Sequence, residues 1–151
     1  MSPPPKLLIR HCIVLRPLDA RFVKMGSAII VVDDDRGFRK GLERLLKAHG
    51  FAVTGYASAE EFETAADPDS AACIILDIGL GGASGIELGH RLSAAGHAVP
   101  LIFITANDSE TVRQAALDCG CLAYLEKPFP ASALIEALDR RHRNPDKHQS
   151  W

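Results

Sequence analysis

The groups able to do chemistry sit in four places: the triplet Asp33-Asp34-Asp35, a single Asp77, Thr105, and Lys127 followed by Pro128. Each closes a short apolar run, at 28–32, 73–76, 99–104 and 121–125. Taken singly, each has an ordinary reading. The acidic triplet can cap a helix and favour its positive end, Asp77 and Thr105 can form turns, and Lys127 can be a solvated surface lysine. Taken together at the ends of strands, they suit one chemistry. Clustered carboxylates repel one another, and a hard divalent cation such as Mg²⁺ removes that cost. The cation and Lys127 can neutralise the equatorial oxygens of a transferring phosphoryl group. Thr105 can donate a hydroxyl hydrogen bond to it, and one carboxylate held in line can be the nucleophile.

The elements that must position these groups alternate in texture from Ala28 onward. Ala28-Ile29-Ile30-Val31-Val32 reads as a strand, and Phe38, Leu42, Leu45 and Leu46 then fall on one helical face that Gly50 ends. A weaker strand at 51–56 precedes a short helix, with Ser58 and Glu61 spaced as a capping box and Ala59, Phe62 and Ala66 inward. Cys73-Ile74-Ile75-Leu76 leads to Asp77 and a loop containing Gly79, Gly81, Gly82 and Gly85; Ser84 can cap the helix that carries Leu88, Leu92 and Ala95. A fourth strand to Ile104 and a helix bearing Val112, Ala115, Ala116 and Cys119 follow, then a fifth strand and a helix with Ala131, Leu134, Ile135 and Leu138. Five apolar strands alternating with five helices predict an α/β fold: a doubly wound, five-stranded parallel sheet in three αβα layers. In such sheets ligands bind beyond the carboxyl ends of the strands, where the chemical groups fall.

Bulk properties narrow the partners. With 151 residues and 47% hydrophobic content the chain fits one domain with a real core. No stretch approaches the roughly 18 unbroken apolar residues of a membrane helix. The net charge of −2 is unevenly spread: residues 1–24 carry +4, residues 139–151 carry +2, and the body carries −8. An acidic body argues against direct nucleic-acid binding. Cys12, Cys73, Cys119 and Cys121 form no CxxC pair, and nothing points to an oxidising compartment, so a cytoplasmic location is expected. The six histidines are scattered and receive no role.

Residues 1–26 begin with Pro3-Pro4-Pro5, and arginines interrupt every apolar stretch. They are expected to be a disordered arm or an upstream extension, with Met25 as the start. Residues 27–142 form the domain and 143–151 a tail.

The segments Val31-Val32-Asp33-Asp34, Leu76-Asp77, Ile104-Thr105-Ala106 and Lys127-Pro128-Phe129 resemble the landmarks of two-component response-regulator receivers, over residues 28 to about 140. The stretch 50–62 and the run Glu126-Lys127-Pro128-Phe129 look most like the FixJ-type subfamily. The resemblance implies a flavodoxin-like strand order 2-1-3-4-5, Asp77 as phosphoacceptor, and Mg²⁺ held by Asp33, Asp34, Asp77 and the Gly79 carbonyl. It also implies Thr105 as switch hydroxyl, Lys127 as the phosphate-facing lysine, Tyr124 as the aromatic that moves on activation, and a cis Lys127-Pro128 bond. The implied partner is a sensor histidine kinase or phosphotransfer protein. The face of the fourth helix, fifth strand and fifth helix is the implied protein-binding and homodimer surface. Two departures stand out: Gly81 replaces a usual proline, and Gly79 and Asn107 occupy positions that influence phospho-aspartate lifetime.

Two other readings compete. A degenerate receiver would bind partners without being phosphorylated, but the complete set of acids, threonine and lysine argues against it. A haloacid-dehalogenase-type phosphatase would use Asp33 as nucleophile and Asp35 as general acid, yet Gly37 departs from that motif and no cap domain is evident.

Overall fold

Apolar runs rich in isoleucine and valine form the centre of the sheet, because a strand covered by helices on both sides cannot alternate with polar residues. A computed structural model describes residues 7–9, 12–14, 27–80 and 84–139. Its strands are β1 (Leu7–Ile9), β2 (Cys12–Val14), β3 (Ala28–Val32), β4 (Ala52–Tyr56), β5 (Cys73–Asp77), β6 (Leu101–Thr105) and β7 (Ala123–Glu126). The helices are α1 (Arg36–Ala48), α2 (Ala59–Ala65), α3 (Gly85–Ala94), α4 (Glu110–Asp118) and α5 (Ala131–Leu138).

The sheet runs β1-β2-β7-β6-β5-β3-β4. From β4 to β7 every pairing is parallel. Counting β3 as the first parallel strand gives the order 2-1-3-4-5, as expected. The sheet is wider than expected by β1 and β2, which lie within the segment set apart as an extension. These two strands pair antiparallel with each other, and β2 pairs antiparallel with β7, matching Ile13 to Tyr124. Two apolar triplets separated by Arg10-His11 are enough for short strands once β7 offers a backbone edge to pair with. The Met25 start and the 143–151 tail lie outside the described residues.

Alternation along each strand divides the core. Ile29, Val31, Cys73, Ile75, Ile102, Ile104, Ala123 and Leu125 face the side packed by α1 and α5. Ile30, Val32, Ile74, Leu76, Leu101, Phe103 and Tyr124 face the side packed by α2, α3 and α4. No described helix is long and apolar enough to cross a membrane.

Helix ends follow local chemistry. Gly50, Gly96 and Gly120 take positive φ of 91°, 87° and 72° just after α1, α3 and α4, where a side chain would be strained. Ser84 and Glu87 form a full reciprocal capping box on α3. The box expected at Ser58 and Glu61 is closed differently. Ser58 accepts from the Glu61 N–H, but the Glu61 carboxylate reaches back to Ala57 N–H.

One glycine is set by packing. A Cβ on Gly89 of α3 would lie 2.9 Å from the Phe103 ring and 3.4 Å from Leu101. Gly89→Ala would gain about 1 kcal/mol of helix propensity. Overpacking against a fully buried ring costs about 1–3 kcal/mol, so a net loss near 1 kcal/mol is expected in urea melts. A variant as stable as the parent would refute this account.

Candidate phosphoacceptor site

The period-two alternation that builds the core also builds the site. Continuing the strands past their apolar runs puts Asp33, Asp77 and Lys127 in phase with the α1/α5 side. Thr105 is in phase with the side that holds Tyr124. Parallel pairing brings these ends into line: Val32 pairs with Leu76, Asp77 with Ile104, and Thr105 with Glu126.

The acidic triplet divides its labour. Asp35 is the N-cap of α1 and accepts from Phe38 N–H at 3.1 Å, so one of the three plays the ordinary capping role. That use of Asp35 speaks against its serving as the general acid of a phosphatase. Asp33 is 1% exposed and accepts from Asp35 N–H at 2.8 Å and from Lys127 Nζ at 3.2 Å. Its main-chain carbonyl accepts from Arg39 Nη1 at 2.7 Å, which fixes the turn from β3 into α1. Asp34 is exposed, and one carboxylate oxygen from each of Asp33, Asp34 and Asp77 lies within 4.8 Å of the others.

Asp77 is 5% exposed at the end of the central strand. Its Oδ1 accepts from Gly79 N–H at 3.2 Å and lies 3.9 Å from Lys127 Nζ. Burial pushes its carboxyl up to about 6; Asp33 and Asp34 add to the shift, and Lys127 and the Gly79 N–H oppose it. Helix α3 begins hard against this residue: a Cβ on Gly85 would run into the Asp77 carbonyl, so only glycine fits there. Gly81 and Gly82, expected to loosen the intervening loop, lie outside the described residues.

Lys127 is held from three sides. Asp33 and Asp77 take its charge, and its Nζ stands 4.0 Å from the centroid of the Phe38 ring. Phe38 in turn meets Phe129 edge-on at 5.9 Å. The Lys127-Pro128 bond is cis, as expected. The Lys127 N–H donates to the Thr105 carbonyl at 2.8 Å, tying the ends of β6 and β7 together.

Thr105 is 3% exposed, and its hydroxyl is engaged by its own loop. It accepts from Asn107 N–H at 3.0 Å and donates to the Asn107 carbonyl at 3.1 Å. Tyr124, the aromatic expected to move on activation, is 2% exposed and donates to Asp108 at 2.7 Å. Sequence reasoning missed Gly85, Arg39, Asp108 and Arg113. Only Gly85 left a trace, as the last glycine of a glycine-rich loop.

Three carboxylates face one ammonium across this rim, and two of the carboxylates are buried. The donors are all hard oxygens and the charge is in excess, so the residues fit a hard divalent cation. A doubly wound parallel sheet with such a rim at its switch point is the arrangement expected of the signalling receivers that the sequence resembles.

A family model described as response regulator receiver domain matches residues 29–139, and the chain belongs to that family. It is 37% identical over 108 residues to the transcriptional regulatory protein FixJ of Azorhizobium caulinodans, an alignment covering 72% of this chain and 51% of the relative. That similarity supports the FixJ-type subfamily. A response regulator receiver protein from Burkholderia phymatum is 42% identical with a TM-score of 0.63, covering 73% of this chain and 90% of that one. The non-phosphorylated HemR receiver domain from Leptospira biflexa, 23% identical with a TM-score of 0.71, shares the fold over 78% of this chain and 95% of its own. The chain spans about half the length of the curated relatives it matches.

Proposed function

We propose that this receiver takes a phosphoryl group on Asp77 from the phosphohistidine of a sensor kinase or phosphotransfer protein, in the cytoplasm. The domain that does so is taken as residues 27–142. The observation that carries this reading is the buried Asp77 carboxylate lying between Asp33, Asp34 and Lys127.

In the proposed step an Asp77 oxygen attacks phosphorus in line, the new O–P bond forms, and the donor N–P bond breaks as its electron pair returns to the imidazole. Asp33, Asp34 and Asp77, with the Gly79 carbonyl, are the residues that would hold Mg²⁺. When bound, the ion supplies charge neutralisation for the carboxylates and the phosphoryl oxygens. Lys127 holds a second set of oxygens. Thr105 leaves Asn107 to donate to the phosphoryl group, which draws the β6–α4 loop inward. Tyr124 then changes position, and the α4–β7–α5 face alters its affinity for partners or for a second copy. The chain promotes its own phosphorylation and dephosphorylation and turns over no other substrate.

Incubation with acetyl phosphate and Mg²⁺ tests the reading. The expected result is a mass gain of one phosphoryl group per chain, lost in hydroxylamine as an acyl phosphate must be. No mass gain from acetyl phosphate, and no response to beryllofluoride with Mg²⁺, would favour a receiver that only binds.

A further inference from the structure

The third acid of the triplet helps to set an aromatic ring beside the acceptor. Asp35 caps α1 by accepting from the Phe38 N–H at 3.1 Å, which fixes the first turn of the helix. Phe38 packs on the core of the α1/α5 side, the side on which Asp33, Asp77 and Lys127 also fall. Phe129 meets its ring edge-on, with centroids 5.9 Å apart and planes at 81°, and so holds its tilt. The Lys127 Nζ stands over this ring, 4.0 Å from the centroid. The same ammonium donates to Asp33 Oδ2 at 3.2 Å but stops 3.9 Å from Asp77 Oδ1, beyond hydrogen-bond reach.

An ammonium carries three donors, and Asp33 engages one of them. A ring face attracts the charge through its quadrupole and takes no directed hydrogen bond. The attraction therefore anchors Lys127 without using up the N–H groups that a phosphoryl oxygen would need. The Lys127 side chain is only 18% exposed, so water does little to weaken the contact. Without the ring, the ammonium would be free to close the remaining gap and hydrogen-bond the Asp77 oxygen.

We propose that Phe38 is a positioning residue for phosphoryl transfer: its ring face holds Lys127 back from the Asp77 oxygen and keeps the remaining N–H groups available to the incoming phosphoryl oxygens. The inference rests on the phosphoacceptor reading of Asp77.

The test uses the full chain with mono-, di- or trifluorophenylalanine at position 38, since fluorine drains the ring face with little change of shape. The rate of labelling by acetyl phosphate with Mg²⁺ is expected to fall stepwise with fluorine count, to about a fivefold loss in the trifluoro protein, the size of a partly desolvated cation–π contact. Phe38→Leu keeps an apolar side chain and should show a similar loss. In the Lys127→Ala background the fluorine series should lie flat, because the ring has no charge to hold. Proton NMR of the unphosphorylated protein without Mg²⁺ gives a readout independent of transfer. The Lys127 ε-methylene protons, assigned by their absence in Lys127→Ala, should lie upfield of those of the other lysines and lose that shift in Phe38→Leu. Equal labelling rates across the fluorine series, or a loss confined to Phe38→Leu, would overturn the positioning role and leave Phe38 as packing. A parent that takes no label defeats the Asp77 reading instead, and the ε-methylene shifts still decide whether the ring holds Lys127.

Discussion

Asp77→Asn is expected to abolish phosphoryl incorporation from acetyl phosphate while making the folded protein more stable at neutral pH. The first effect follows from chemistry: an amide oxygen cannot serve as the nucleophile, and labelling should drop by at least about 100-fold, in line with loss of a covalent catalyst. The second follows from the carboxyl being pushed from its ordinary value of 3.8 to about 6. Between those values the folded chain keeps a proton that the unfolded chain has released. The stability tied to that proton is fully present below about pH 4 and is lost as pH rises through about 6. At pH 7.5 the parent therefore carries a buried ionised carboxylate held beside two others. At about 1.4 kcal/mol per pKa unit the ceiling is about 3 kcal/mol. The site is open to solvent at its rim through Asp34, so a gain of about 1–2 kcal/mol is expected, or roughly 5 °C in Tm. Mg²⁺ should narrow the gap by stabilising the parent. Persistent labelling of the amide variant would overturn the site assignment. A stability difference that does not grow from pH 4.5 to 7.5 would overturn the account of the carboxyl.

Lys127→Ala is expected to act in two opposite directions at once. Labelling should fall by about 10–100-fold, because a charge aimed at the transferring oxygens is gone. Mg²⁺ should bind more tightly, since the ammonium and the cation compete for the carboxylates of Asp33 and Asp77. The same loss leaves Asp33 and Asp77 without their shared cation. The Asp77 carboxyl then rises further above 6, and the pH at which labelling reaches half its plateau moves up with it. Folding stability should drop by about 1–3 kcal/mol, less than for a fully buried pair because the Lys127 side chain is 18% exposed. Isothermal titration with Mg²⁺ and a pH series of labelling rates measure both arms. Weaker Mg²⁺ binding in the variant would show that Lys127 organises the carboxylates and does not compete for them.

Much of this site was legible because strand ends announce themselves in sequence. Runs such as Cys73-Ile74-Ile75-Leu76 can only be buried, and a carboxylate directly after one must sit at the rim of the sheet. The role of Gly50 as a helix stop was legible for the same reason, since it closes an apolar helical face. What escaped was set by contacts between distant residues. Asp108 reads as one more polar loop residue until Tyr124, sixteen positions on, is folded against it. Phe38 reads as an ordinary core position of α1, and only the fold brings its ring beneath Lys127. Strands β1 and β2 are three residues each, too short to show a period, and they are strands through pairing with each other and, for β2, with β7. The strands begin at Leu101 and Ala123, later than the apolar runs, although the Pro100 carbonyl already accepts from Ile74 N–H and Leu122 N–H already donates to the Leu101 carbonyl.

The in-phase alternation of Asp33, Asp77 and Lys127 has a consequence for how a signal leaves the site. The sheet is a wall, with the acceptor and its counter-charge on one side and Tyr124 on the other. Packed strands do not let side chains pass through them. The connected route from Asp77 to the far side runs around the open rim, where Thr105 stands with its carbonyl tied to the Lys127 N–H and its hydroxyl tied to Asn107. On the proposed reading of Asp77, that narrow doorway makes Thr105 and its loop the bottleneck between the acceptor and the far side, and the rest of the sheet can stay rigid.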